Sequence, residues 1–384
     1  MNNAAHIVEQ LKDLLRHDRD LYSRLQQHLQ HCAKENPDST TNPVHSLDDL
    51  YSYMQRFLIS MPWGWSDKVE MPSYSVSQES KKENITTAGL FRRIDQATGY
   101  FYYLFGNLQY EPPIADWLHH YNVLWGEFLS STDSWNNEYL EMIKSDPLFE
   151  LNTDKYESPD HWHCWNDFFS RKLRKPERVK QLGKLKKTKS LETISSPAEG
   201  CFFGWTKISE DSTLPCNEPV KTTDIFDIKT LLGNSPYRNS FADGQFGHIV
   251  LDIYNYHRFH SPVNGKIVDI QDIDGQLSAG GRIIWDALQH RYRYSQLDNI
   301  GYQMIEKRMV IIIAVESQKQ KEECQKWEVE SGTSTTLIAL IPIGVAQVGS
   351  IRLNEDISIG EEIRQHQELG YFLCGGSDVI ILTN

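Results

Sequence analysis

Near residue 190 the chain changes the period on which its apolar residues recur, and this restricts the fold more than any other feature of the sequence. Upstream, Ile7, Leu11, Leu14, Leu15, Tyr22, Leu25 and Leu29 recur near helical spacing within residues 6–31. Asp48–Ile59 and Asn122–Ser130 read the same way, aromatics crowd Tyr100–Phe105 and Trp117–Trp125, and Lys34–Asn42 has the composition of a loop. Downstream, short β-branched runs are broken by Gly, Asn, Asp and Pro: His248–Tyr254, Gly265–Ile270, Met309–Val315, Thr336–Ile341, Val345–Leu353, Leu369–Cys374 and Val379–Leu382. The expected class is α+β. Residues 1–159 should form a helical N-terminal domain, 160–190 a basic linking segment, and 191–384 an all-β, sandwich-like domain.

A chain of 384 residues allows two or three domains and a sizeable core. Ten Trp, 18 Tyr and 15 Phe within a hydrophobic fraction of 39% exclude a disordered chain. The longest apolar runs, Met309–Val315 and Leu337–Ala346, are strand-sized, so no membrane-spanning segment is expected. Met1–His6 lacks a basic region followed by an apolar core, the mark of a secretory signal. The cysteines at 32, 164, 201, 216, 324 and 374 form no Cys-x-x-Cys pair, which fits a reducing, cytoplasmic setting. A net charge of −13 argues against a nucleic-acid partner. Charge is uneven, however: Arg171–Ser190 holds ten basic residues against the single acid Glu177, a stretch suited to solvent or to peripheral contact with an anionic membrane.

Two segments carry chemistry. In Leu369-Gly370-Tyr371-Phe372-Leu373-Cys374-Gly375-Gly376-Ser377-Asp378-Val379-Ile380, apolar runs flank a glycine pair followed by serine. By itself this is an ordinary strand-turn-strand connection, yet a hydroxyl placed after such permissive residues can reach the preceding carbonyl. The other segment, Tyr256-His257-Arg258-Phe259-His260-Ser261-Pro262, supplies two imidazoles among aromatic neighbours. On a strand an offset of three puts them on opposite faces, which disfavours a shared metal, so no metal is expected there. Asp160-His161-Trp162-His163-Cys164 has the look of a zinc fragment but lacks a second ligand pair.

Together the two segments resemble the phosphatidylserine decarboxylase family, as do Trp165-Asn166-Asp167-Phe168-Phe169-Ser170-Arg171-Lys172-Leu173 and Ser261-Pro262-Val263-Asn264-Gly265-Lys266-Ile267, over roughly residues 160–384. The resemblance implies a β-rich catalytic domain that cuts itself at Gly376-Ser377. Ser377 Oγ attacks the Gly376 carbonyl, an ester replaces the amide, and elimination then hydrolysis leave a pyruvoyl cofactor at position 377 on a peptide of residues 377–384, the cofactor then serving as electron sink for loss of carbon dioxide. It also implies that His260 takes the proton from Ser377, that His257 serves substrate binding or proton return, and that an acid, here Glu199 in Ser196-Pro197-Ala198-Glu199-Gly200, orients an imidazole through its second nitrogen. The family has Asp where Glu199 stands and often Thr where Asp378 stands, so Asp378 should set a negative charge beside the cofactor.

Because the N-terminal extension is polar and helical, the chain is similar to a soluble branch whose fungal members act on tryptophan and other free amino acids. A free L-amino acid is therefore the expected substrate, with phosphatidylserine as the alternative. Two other readings of the residues are a serine hydrolase using Ser377, His260 and Glu199, and a non-catalytic relative in which Ser377 is a turn residue. The first lacks the Gly-x-Ser-x-Gly elbow.

Overall fold

The computed structural model describes residues 2–64, 89–186, 193–220, 223–294, 301–315, 336–347 and 350–384. Lys187 and Lys189 of the basic stretch lie outside these residues.

The helices are α1 (Asn2–His17), α2 (Arg19–Glu35), α3 (Leu47–Phe57), α4 (Leu90–Tyr103), α5 (Pro112–Leu129), α6 (Asn137–Ser145), α7 (Trp165–Phe169) and α8 (Ile228–Leu231). The single amphipathic run expected over 6–31 is two helices, because Asp18 leaves helical geometry and caps α2 by accepting from the Leu21 N–H at 2.9 Å. Among the described residues no helix is long and apolar enough to cross a membrane.

The strands, in chain order, are β1 (Lys184–Lys186), β2 (Ile194–Ser195), β3 (Cys201–Lys207), β4 (Thr213–Val220), β5 (Thr223–Asp227), β6 (Gln245–Leu251), β7 (Arg258–His260), β8 (Gly265–Ile273), β9 (Ile283–Asp286), β10 (Arg291–Tyr294), β11 (Arg308–Val315), β12 (Leu337–Val345), β13 (Ile351–Leu353), β14 (Glu362–Ile363), β15 (Glu368–Phe372) and β16 (Gly376–Thr383). The fold is α+β, with its helices concentrated N-terminally and antiparallel sheets after them.

The chain forms two compact units, and neither is a single stretch. One comprises Met1–Phe168 with Gln276–Leu297 and Ala346–Val348; the other comprises Phe169–Gly275, Asp298–Val345 and Gly349–Asn384. In the first unit the rings of Phe57, Phe101, Tyr121 and Trp125 form a buried aromatic core, with Phe57 centred 5.2 Å from both Phe101 and Trp125. The hairpin β9–β10 belongs to this unit because Gln96 on α4 bonds both backbone groups of Tyr292, at 2.7 Å each.

The second unit is built on a seven-stranded antiparallel sheet of order β14-β8-β11-β12-β16-β6-β3. A three-stranded sheet of order β13-β15-β7 carries the histidine segment. Every residue of β12 is buried, as is every residue of β16 after Gly376. Successive side chains point to opposite faces, so both faces of the sheet are covered at its centre. Burying each of Val379, Ile380, Ile381 and Leu382 contributes about 1.5–3 kcal/mol.

β15 and β16, the apolar runs either side of the glycine pair, do not pair with each other. β15 lies between β13 and β7, whereas β16 lies between β12 and β6. The expected hairpin is instead the link by which the chain leaves one sheet and enters the other. Gly375 makes that change of direction at φ +141°, backbone that a residue with a Cβ rarely adopts.

Candidate active site

Ser377 is the second residue of β16, opposite Gly344 of β12 and Leu251 of β6, and only 2% exposed. Gly376, just before it, faces Val345 so closely that an added Cβ would sit 2.8 Å from the Val345 carbonyl oxygen. The Gly376-Ser377 peptide bond therefore lies at the start of a central strand, with Gly376 half-buried and Ser377 buried.

Ser377 Oγ is 3.3 Å from His257 Nδ1. The other ring nitrogen of His257, Nε2, is 3.3 Å from the Ile253 carbonyl, a group that only accepts. This assigns the hydrogen to Nε2 and leaves Nδ1 as a bare lone pair aimed at the hydroxyl. Phe169 stacks on the imidazole at 3.9 Å and 21°. The His257 carbonyl accepts from the Phe372 N–H at 2.9 Å, which ties it to the strand preceding the glycine pair.

His260, on β7, is held differently. Its Nδ1 donates to the His366 carbonyl at 3.1 Å, and its Nε2 accepts from the Tyr256 hydroxyl at 3.1 Å. His260, expected to take the Ser377 proton, thus has both ring nitrogens engaged elsewhere. His257 precedes β7, so strand alternation does not apply to the pair; the two rings meet different partners, and the imidazole beside Ser377 is His257.

Glu199 meets the start of the histidine segment: Oε2 accepts from the Tyr256 backbone N–H at 3.2 Å and Oε1 from the Asn255 side-chain amide, Nδ2, at 3.5 Å. The neighbouring Pro197 carbonyl accepts from the His260 N–H at 2.8 Å. Backbone carbonyls bind the second nitrogens of both imidazoles, where a carboxylate was expected, while Glu199 holds the Tyr256 N–H and the Asn255 side chain, just ahead of the histidines. Asp378 does not lie beside Ser377's hydroxyl; strand alternation turns it to the opposite face of the sheet, where His248 Nε2 meets it at 3.0 Å.

Sequence reasoning placed Arg171 in the basic stretch and in the Trp-x-x-Phe-Phe-x-Arg motif without giving it a task. Its side chain is fully buried, and Nη2 donates to the Tyr254 and Asn255 carbonyls at 2.6 and 2.9 Å, clamping the turn that leads into His257. The signal was present in the motif, but a run of surrounding lysines and arginines masked it.

Burial pushes the His257 pKa down to about 3; the Arg171 charge adds to this, and backbone bonds at Ile253 and Asp252 oppose it. Burial likewise pushes His260 down to about 4, opposed by the Glu368 carboxylate and the His366 carbonyl. Both imidazoles are therefore neutral at neutral pH and able to accept a proton. An unfolded chain, whose histidines titrate near 6.5, binds more protons than the folded one from that pH down to the folded values. Stability should be level above about pH 6.5 and fall below it, by about 1.4 kcal/mol per pH unit for each of the two histidines. Urea unfolding of an uncut Ser377→Ala chain between pH 7.5 and 5 checks this, and His260→Gln should make the slope shallower. An unchanged midpoint across that range would contradict the burial described.

Comparison with known proteins follows the same segment. The phosphatidylserine decarboxylase family profile matches residues 165–384. Phosphatidylserine decarboxylase proenzyme 3 of Schizosaccharomyces pombe is 29% identical over 236 residues, covering 61% of this chain and 20% of that protein. A phosphatidylserine decarboxylase proenzyme of Psychrobacter arcticus is 31% identical over 131 residues, 34% of this chain and 43% of that one. Proenzyme 2 of Oryza sativa subsp. japonica is 26% identical over 272 residues, 70% of this chain and 36% of its own. The matched stretches thus span from about a fifth to less than half of these relatives' lengths. Since the profile takes in more than half of the chain, including Ser377, both histidines, Glu199 and Arg171, this chain belongs to the phosphatidylserine decarboxylase family.

Proposed function

We propose that this protein is a proenzyme that cuts itself at Gly376-Ser377 to form a pyruvoyl group, and that the mature enzyme decarboxylates phosphatidylserine. The observation that carries this is the Ser377 hydroxyl, buried and 3.3 Å from the bare Nδ1 of a neutral His257. His257 takes the hydroxyl proton as Oγ bonds to the Gly376 carbonyl carbon, and returns it to the Ser377 nitrogen as the C–N bond breaks. Loss of the Ser377 α-proton then breaks the Cβ–O ester bond, releasing the Gly376 carboxylate. The resulting dehydroalanine takes up water and gives ammonia and the pyruvoyl end.

Position 377 fits that group, being buried, free of a bulky preceding side chain and faced by a neutral imidazole. Once formed, a pyruvoyl carbonyl supplies an electron sink for the departing carboxylate's electrons. His257 is placed to hold or return a proton at the carbon that loses carbon dioxide, and Phe169 and the covered sheet keep water away from it.

For the substrate, the relatives' names support a serine phospholipid over the free amino acid expected from the polar helical extension. Carbon dioxide release should be seen with phosphatidylserine in vesicles or mixed micelles and be at least about tenfold slower with serine, tryptophan and other free amino acids. Release from a free amino acid with none from the lipid would return the substrate to the first expectation.

A further inference from the structure

We infer that Asp378 is a positioning residue that pins position 377 from the far face of the sheet, both before and after the bond is cut. The inference rests on the proposed cleavage. The Asp378 side chain is 3% exposed and one oxygen, Oδ2, accepts two bonds. His248 Nε2 on β6 donates from 3.0 Å, and the Tyr302 hydroxyl, on the short helical turn Tyr302–Met304 before β11, donates to the same oxygen. His248 pairs in register with Ile380 and Asp378 with Val250, so the imidazole reaches diagonally along the sheet to the residue next to the scissile bond. Phe203 stacks on His248 at 5.7 Å and 25°, holding the ring in that direction.

The need for such a pin follows from the cut itself. In the intact chain, residue 377 is held from both sides along the backbone. After cleavage it becomes the first residue of an eight-residue peptide that is strand as far as Thr383, and strand ends fray. Buried Val379–Leu382 keep the strand in the sheet, but their grip begins two residues beyond the reacting group. Asp378 supplies a fixed point one residue away, shared between two other elements. Fraying of its N-terminal end would carry the group away from His257.

The test uses the full chain with Tyr302→Phe, His248→Gln, Asp378→Ala and Asp378→Asn. In the cut protein, hydrogen exchange at residues 378–380 should be at least about tenfold faster in Asp378→Ala and Tyr302→Phe than in wild type. Their kcat on phosphatidylserine in mixed micelles should drop at least about fivefold with KM little changed. Asp378→Asn should recover most of the loss, since an amide oxygen accepts both bonds as the carboxylate oxygen does. Should Asp378→Ala fail to fold, Tyr302→Phe removes one bond and carries the comparison, while His248→Gln, whose side-chain amide can still donate to Oδ2, should stay close to wild type. Folded, cut Asp378→Ala and Tyr302→Phe variants with wild-type exchange and kcat would overturn the pin. A wild-type chain that is never cut would overturn the proposed function instead, and exchange at 378–380 in the intact chains would still decide the pin.

Discussion

Ser377→Ala is expected to leave the chain at full length under conditions in which the wild type separates into residues 1–376 and 377–384. The effect should be complete, because alanine removes the only atom that can form the ester. Intact mass in denaturant reads the result directly, and in the wild type the small fragment should carry a carbonyl that borohydride reduces. Exchanging an amide for an ester is uphill for an ordinary peptide, and local strain contributes only about 1–3 kcal/mol toward it. The later elimination and release of ammonia draw the sequence forward, which makes the chemistry slow and one-way. A wild-type chain that stays whole after prolonged incubation would refute the assignment, and a fluorophosphonate label on that whole chain would favour a serine hydrolase.

His257→Ala should slow the cut by about 10²–10⁴, the usual contribution of a positioned general base, whereas His260→Ala should slow it less than about tenfold. The geometry sets this order. His257 presents a bare nitrogen to Ser377, while both nitrogens of His260 are engaged by Tyr256 and the His366 carbonyl. Single-turnover cleavage of freshly refolded protein, followed by mass, separates the two. The reverse ranking would give the base role to His260, as the family resemblance implied, and would require the Tyr256–His260 bond to open during maturation.

Much of the fold was legible because its elements are locally encoded. The run Met309–Val315 reads as a strand since β-branched residues pack well on a pleated surface, and the observed β11, Arg308–Val315, differs by one residue at its start. The run Val345–Leu353 was less legible: β12 ends at Val345 and β13 begins at Ile351, with Ala346 and Gln347 at positive φ between them. Neither residue type announces that conformation. The Gln276–Leu297 segment was read with the β-rich half because it falls within the continuous stretch 191–384 assigned to it. Its place in the helical unit depends on Gln96, almost 200 residues earlier in the chain, bonding Tyr292.

The site divides in the same way. Ser377, His257, His260 and Glu199 stand out in the sequence because chemistry restricts which side chains can do nucleophilic and proton-transfer work, and because glycine before the serine permits a close approach. Residue type and spacing alone determined that a cut at Gly376-Ser377 was conceivable. Which imidazole meets the serine, that Glu199 holds the Tyr256 N–H and the Asn255 side chain, that Arg171 is buried beneath His257's turn, and that Asp378 faces away toward His248 and Tyr302 were decided only by the tertiary structure. The first and the last of these depend on the register of β16 between β12 and β6 and on the crossing from one sheet to the other at Gly375. A shift of one residue there would exchange the faces of Ser377 and Asp378, and registers of that kind are set by the packing of distant strands rather than by any local run of residues.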